Sequence, residues 1–185
     1  LRVVSCSNAA DAYWMIQQAI ASDDPVIFFE PKRRYHERGE TEIDEGGTPD
    51  LGLYDARVVR EGSDATLLCY GPMVKTCLQA AAAAEEEGRN LEVIDLRSLS
   101  PLDLPTITAS VKKTGRAVIV HEAQTFVGLG AEIAARVQEE CFYHLEAPVL
   151  RVGGYNIPYP PSRFEEEFLP TLDRVLDAVD RSLAH

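Results

Sequence analysis

Apolar and polar positions along this chain come in blocks that fit strands and helices by turns. Leu1 to Val4 predicts a strand. Asn8 can cap a helix from Ala9 to Ala21, with Ala10, Trp14, Ile16 or Ile20, and Ala19 on one face. Asp23-Asp24-Pro25 ends it, because proline restricts the residue before it and cannot continue a helix. Val26-Ile-Phe-Phe29 is wholly apolar, as in a strand covered on both faces of a parallel sheet. Glu30-Pro31-Lys32 opens a polar segment reaching to about Asp55. Its Gly46-Gly47-Thr48-Pro49 and repeated charges predict a long loop or linker, with a domain boundary in it.

Beyond that boundary the alternation is regular. Strands are predicted at Arg57–Arg60, Ala65–Tyr70, Leu91–Leu96, Arg116–Val120 and Val149–Val152. Helices are predicted at Pro72–Glu87, Asp103–Thr114, Gly128–Cys141 and Leu169–Leu183, with Pro72 suited to a first turn and Gly88 and Gly115 to helix ends. Strands alternating with helices imply an α/β fold: a three-layer, mostly parallel sheet with helices on both faces.

Composition narrows the function. The 30 acidic and 18 basic residues give a net charge of −12, which disfavours a nucleic-acid or anionic-membrane partner and allows a basic protein partner. No apolar run is long enough to span a bilayer. Cys6, Cys69, Cys77 and Cys141 form no Cys-x-x-Cys pair, and free buried thiols in a reducing cytoplasm are expected. The chain opens Leu1-Arg-Val-Val, as though in mid-strand and without an initiator Met, which predicts a piece of a longer protein.

Four motifs could carry chemistry. His121-Glu122 follows an apolar run and so stands at the C-terminal end of a strand, where open α/β sheets place ligands. The pair can move a proton, or the histidine can simply hydrogen-bond a loop. Gly128-Leu-Gly130 opens a helix but lacks the third glycine and downstream acid of a dinucleotide site, so its glycines are expected to permit close packing. The turn from Ala19 through Ser22 to Asp24 offers a carbonyl, a hydroxyl and a carboxylate, either as oxygen ligands for a hard cation or as a helix end. Gly153 to Pro161, rich in proline and aromatics, either covers a neighbour or connects strand to helix over its own core.

A set of ordered motifs carries a resemblance over essentially the whole chain. They are Asp24-Pro-Val-Ile-Phe-Phe-Glu-Pro-Lys32, Glu61-Gly-Ser-Asp64, Val93-Ile-Asp-Leu-Arg97, Lys113-Thr-Gly115, His121-Glu-Ala123, Gly130-Ala-Glu132 and Leu145-Glu-Ala-Pro148. Together they resemble the beta subunits of the thiamine-dependent 2-oxoacid dehydrogenases, in the transketolase superfamily. Val137-Gln-Glu-Glu-Cys-Phe142 and Gly154-Tyr155 look most like the branched-chain (2-oxoisovalerate) enzymes, with the pyruvate enzymes next. Such proteins act in the cytoplasm, or in the mitochondrial matrix of eukaryotes.

The resemblance implies that residues 1–54 are the end of a thiamine pyrimidine-binding domain plus linker, and 55–185 a transketolase C-terminal domain. It implies oxidative decarboxylation of a 2-oxoacid, with the acyl group passed to a lipoyl arm. Thiamine diphosphate with magnesium would lie between an alpha subunit and a part of beta outside this chain, in a heterotetramer with a second beta subunit. His121 and Glu122 would border the active site at a subunit interface without being catalytic. Ala19, Ser22 and Asp24 would match a potassium site. Glu146 and the terminal carboxylate of His185 would meet the basic subunit-binding domain of the lipoyl acyltransferase. Gln124, Val127 and Asn156 stand where the family often has Pro, Gly and Asp.

Overall fold

The apolar runs Ala65–Cys69 and Ala117–Val120 lie side by side in register, Thr66 opposite Ala117 and Cys69 opposite Val120. They form the centre of the larger of two sheets in a computed structural model that describes residues 1–41 and 49–185. The predicted linker core Gly46-Gly47-Thr48 lies outside the described residues.

In chain order the elements are β1 (Arg2–Ser5), α1 (Ala9–Ala21), β2 (Val26–Phe29), β3 (Arg57–Arg60), β4 (Ala65–Cys69), α2 (Met73–Glu86), β5 (Leu91–Asp95), β6 (Ser98–Ser100), α3 (Leu104–Thr114), β7 (Ala117–Gln124), α4 (Leu129–Cys141), β8 (Leu150–Gly154), α5 (Glu165–Phe168) and α6 (Leu172–Leu183). The larger sheet has order β3-β5-β4-β7-β8, parallel except for the edge strand β3. The smaller has order β2-β1-β6.

The period of two along β4 sorts the core. Ala65, Leu67 and Cys69 pack with Cys77, Ala80, Val175 and Val179 of α2 and α6. Leu68 on the other face packs with Ile107, Val111, Ile133 and Val137 of α3 and α4. Covered on both faces, β4 and the first half of β7 are apolar except for Thr66, whose hydroxyl is met by Ser110 and Thr114, and that is what made them legible as strands. All four cysteines are free and buried.

Several expectations need correction. Strand β7 does not end at Val120 but runs on through His121 to Gln124, so the His-Glu pair lies within a strand. β2 is not covered on both faces: it is the edge of the small sheet, with Ile27 and Phe29 exposed. The buried face of α1 is Asp11 and Met15, with Ala12 and Ala19 packed beside them, while Ile20 is exposed. Asp11 turns that face inward because its carboxylate meets two arginines, Arg97 at 3.3 Å and Arg57 at 3.4 Å. The final helix, α6, starts three residues later than expected, at Leu172, after Pro170, with Thr171 capping it by accepting from the Arg174 N–H; the short α5 lies before the predicted range. Short β6, with a single apolar residue, pairs antiparallel with β1 and ties the first segment of the chain to the second.

A buried polar network makes the same joint. Ser7 Oγ donates to Asp95 Oδ2 at 2.5 Å and stands 3.4 Å from Asp11 Oδ2. The Arg97 N–H donates to Asp95 Oδ1, and its guanidinium donates to the carbonyls of Gly52 and Asp55. Burial pushes the Asp95 carboxyl up to about 7, against the hydrogen bond from Ser7, and the nearby Asp11 carboxylate adds to the rise.

Candidate functional site

From β4 the chain crosses to β5 on one side, and β7 then lies on the other, so the strand order switches between β4 and β7. Carboxyl ends of strands at such a switch form a crevice suited to ligands. Here a cleft of about 410 Å³ opens, lined among others by Phe29, Lys32, Arg33, Tyr70, Glu122 and Tyr159. It lies between the two sheets, since β2 supplies Phe29 and β7 supplies Glu122.

His121 does not face this cleft. It is completely buried, its Nδ1 2.9 Å from the Ala123 carbonyl and its Nε2 accepting from the Gly130 N–H at 3.2 Å. An amide can only donate, so Nε2 is the acceptor, Nδ1 carries the proton and the ring is neutral. Burial pulls its pKa below the ordinary value, partly offset by the bond to Ala123. Tyr70 stacks beside it, centroids 6.3 Å apart. With its nitrogens engaged by β7 and by the first turn of α4, the ring ties the strand to the helix.

Glycines make room for the ring. A Cβ on Gly128 or Gly153 would stand 3.0 or 3.1 Å from His121 Cε1, and one on Gly130 would collide with Nε2. Gly128-Leu-Gly130 therefore permits close packing as expected, but against a histidine of the same chain.

Glu122 takes the other face of β7 and enters the cleft. Its Oε1 is out of solvent and has no hydrogen-bond partner among the described residues. The Arg33 guanidinium is 3.8 Å away. Burial raises the Glu122 pKa, and Arg33 opposes the rise. Tyr70, buried beside this carboxylate, is pushed up to about 12, chiefly by burial. Of the predicted pair, then, only the glutamate has an atom to offer a guest. Arg33, Tyr70 and Tyr159 were not anticipated, and the one available sign was that Tyr70 directly follows an apolar strand.

The turn after α1 is built as a helix end. The Ala19 carbonyl accepts from the Ser22 N–H at 3.3 Å, Ser22 Oγ accepts from the Asp24 N–H at 3.2 Å, and Asp24 pairs with Arg2 at 2.9 Å. The Arg2 guanidinium thus already meets the Asp24 carboxylate. Among the described residues no group of three or more His, Cys, Asp or Glu is arranged to hold a metal ion.

Glu146 is exposed and ion-paired with Arg116, and the same guanidinium donates from Nε to the Ser182 carbonyl at 3.1 Å. Arg116 thus joins Glu146 to the end of α6, three residues before the exposed His185. Of the two residues expected to share a docking surface, Glu146 contacts this arginine and His185 follows the helix end that the arginine binds.

The loop after β7 carries an exposed apolar tip. Phe126 and Val127 project into solvent, and Val127 has a left-handed backbone with φ 57°, which a β-branched residue seldom adopts. Tyr155, Ile157 and Tyr159 of the proline-rich segment are exposed too, and Gln124 hydrogen-bonds the Ile157 carbonyl.

Known proteins agree with this architecture. The chain is 54% identical over its full length to the pyruvate dehydrogenase E1 component subunit beta of Leifsonia xyli, of which it covers 54%. It is 51% identical over 99% of its length to the 3-methyl-2-oxobutanoate dehydrogenase subunit beta of Mycobacterium tuberculosis, covering 52% of that protein. To the 2-oxoisovalerate dehydrogenase subunit beta of Pseudomonas aeruginosa it is 47% identical, with 98% of the chain and 55% of the relative covered. The chain spans about half the length of the curated relatives it matches. A solved structure described as a split gene transketolase, inactive beta4 tetramer, superposes with a TM-score of 0.75 at 26% identity over 99% of the chain and 57% of that chain. The family model of the transketolase C-terminal domain matches residues 55–175, which include the whole five-stranded sheet, and the chain belongs to that family.

Proposed function

We propose that this chain is the C-terminal part of the beta subunit of a branched-chain 2-oxoacid dehydrogenase, with residues 1–54 closing a pyrimidine-binding domain and 55–185 forming the transketolase-type domain. The observation that carries this reading is the 47–51% identity, over nearly the whole chain, to beta subunits of two dehydrogenases of that class. The reaction decarboxylates a 2-oxoacid and passes the acyl group to the disulfide of a lipoyl arm, which is reduced as the acyl carbon is oxidised. Thiamine diphosphate, when bound with magnesium, supplies the nucleophile and the electron sink. Among the described residues no group of three or more His, Cys, Asp or Glu is arranged to hold magnesium, and the Gly130 N–H is already taken by His121; the reading assigns the cofactor to the alpha subunit and the rest of beta.

This chain's share is then assembly and docking. Phe126, Val127 and the exposed aromatics of the proline-rich segment supply apolar surface for a second beta subunit. Glu146, Arg116 and the carboxyl end of α6 supply a surface for the basic subunit-binding domain of the acyltransferase, whose approach a charge of −12 would speed. No helix among the described residues is long and apolar enough to cross a membrane, and the reading puts the protein in the cytoplasm or mitochondrial matrix.

The 54% identity to a pyruvate dehydrogenase beta subunit favours a second reading, with pyruvate as substrate. Turnover by the complete protein with its alpha subunit separates them. A kcat/KM for 3-methyl-2-oxobutanoate at least about tenfold above that for pyruvate supports the first reading. The reverse ratio supports the second, and turnover of neither 2-oxoacid overturns both.

A further inference from the structure

We propose that the hollow between β8 and α6 binds a phosphoryl group through Arg151, Arg174 and Arg181. The hollow holds about 310 Å³ and shares no lining residue with the cleft at the strand switch. On a chain of net charge −12, three guanidiniums lining one small hollow run against the charge of the molecule as a whole.

Two of the guanidiniums are held by backbone carbonyls and the third pairs with a carboxylate. Arg151 Nη1 donates to the Thr125 carbonyl at 3.1 Å. Arg174 Nη2 donates to the Gly153 carbonyl at 2.5 Å, and its guanidinium lies 4.6 Å from the centre of the Tyr155 ring. Arg181 Nη1 stands 3.6 Å from Asp177 Oδ2, one helical turn away. These contacts leave most of the five N–H donors on each guanidinium free. Arg174 goes further: its Nη1 is out of solvent and has no hydrogen-bond partner among the described residues. A buried donor left unmet is costly, and an incoming acceptor recovers that cost. The two arms held by carbonyls, Arg151 and Arg174, also lose less freedom when a ligand arrives.

The charge and shape favour phosphate over carboxylate. Three arginines less Asp177 leave a net charge of 3 − 1 = +2 on the lining, which matches a phosphoryl group carrying about −1.5 to −2 at neutral pH. A planar carboxylate is satisfied by one guanidinium fork, whereas a tetrahedral phosphoryl group presents three acceptor oxygens to three separate arms. Free phosphate and the terminal phosphoryl of a nucleotide share this chemistry.

Calorimetric titration tests the site, using the intact protein in its native assembly, saturated with its cofactor, at constant ionic strength. Inorganic phosphate and ADP are the probes. One saturable site per chain is expected, weakened about tenfold or more by Arg151→Gln and by Arg181→Gln. Both arginines are exposed, so these variants are expected to keep the wild-type unfolding midpoint. Arg181→Lys, which keeps the charge and loses the fork, is expected to fall between wild type and Arg181→Gln. Equal affinity for the two probes would mean that the phosphoryl group alone is recognised; tighter ADP would make the ligand a nucleotide. No saturable binding of either probe, or affinity unchanged in both glutamine variants, would overturn the proposal.

Discussion

The Gly130 N–H donates to His121 Nε2 at 3.2 Å, so the start of helix α4 is fastened to the middle of strand β7 through one neutral imidazole. Truncating His121 to Ala would leave the Gly130 N–H and the Ala123 carbonyl unpaired in a dry space and open a cavity. The expected loss is about 2–4 kcal/mol, to be read from urea unfolding.

The same contact sets the tolerance at Gly130. A methyl group there would collide with Nε2, and that ring is boxed in by Gly128 and Gly153, so it cannot swing aside. Gly130→Ala should destabilise by about 1–3 kcal/mol. Gly88→Ala makes a useful comparison: no atom lies near its Cβ position, and any cost there comes only from its left-handed φ of 80°.

Two buried groups set opposite pH dependences. Asp95, whose carboxyl is pushed up to about 7 by burial, holds its proton more tightly folded than unfolded, where the value is about 3.9. Its contribution is fully present below pH ~4 and is lost as pH rises through ~7. His121, with a lowered pKa, works the other way: its contribution is present above pH ~6.5 and is lost as pH falls through the depressed folded value. Asp95→Asn should therefore raise the unfolding midpoint at pH 8, leave it nearly unchanged at pH 4, and flatten the decline between pH 5 and 8. An unaltered decline would remove Asp95 as its source.

At the docking surface proposed for the acyltransferase, Glu146→Lys sets a second cation against Arg116 and should repel a basic partner. Glu146→Gln removes only the charge. Titration with the acyltransferase subunit-binding domain should show affinity falling in the order wild type, Gln, Lys, with Lys weaker than wild type by about tenfold or more. Equal affinities would discard Glu146 as a contact.

Val127 holds a left-handed backbone in solvent. Val127→Gly should raise stability by about 1 kcal/mol, relief of strain outweighing the added freedom of the unfolded chain. If the exposed Phe126-Val127 tip seats against a second beta subunit, the same change should also loosen the dimer at sedimentation equilibrium.

Much of the fold was legible because its central strands carry their own signal. Ala65–Cys69 is apolar but for Thr66 and Ala117–Val120 is wholly apolar, and helices flank them, two of them capped by Asp103 and Thr171. What was missed depended on partners far along the chain. The polar residues His121 to Gln124 continue a strand only because β8 lies beside them, with Gln124 opposite Gly154. β6 is three residues long and is a strand only because β1 pairs with it. The glycines that clear space for His121 come from two separate segments, and Ser7 meets Asp95 across 88 positions. The His-Glu pair was found from sequence, but the roles of its two members follow from strand alternation, which turns His121 into the core and Glu122 into the cleft.

We infer that His121 fastens β7 to α4 beside the cleft and moves no proton in the reaction. The direct measurement is the pH profile of kcat/KM for 3-methyl-2-oxobutanoate by the full assembly carrying His121→Gln, normalised to correctly assembled protein. A structural His121 leaves a profile of unchanged shape and a kcat/KM within a few-fold of wild type. A loss of about 100-fold or more in intact assemblies, with one limb of the profile gone, would make His121 an acid–base group and contradict the account.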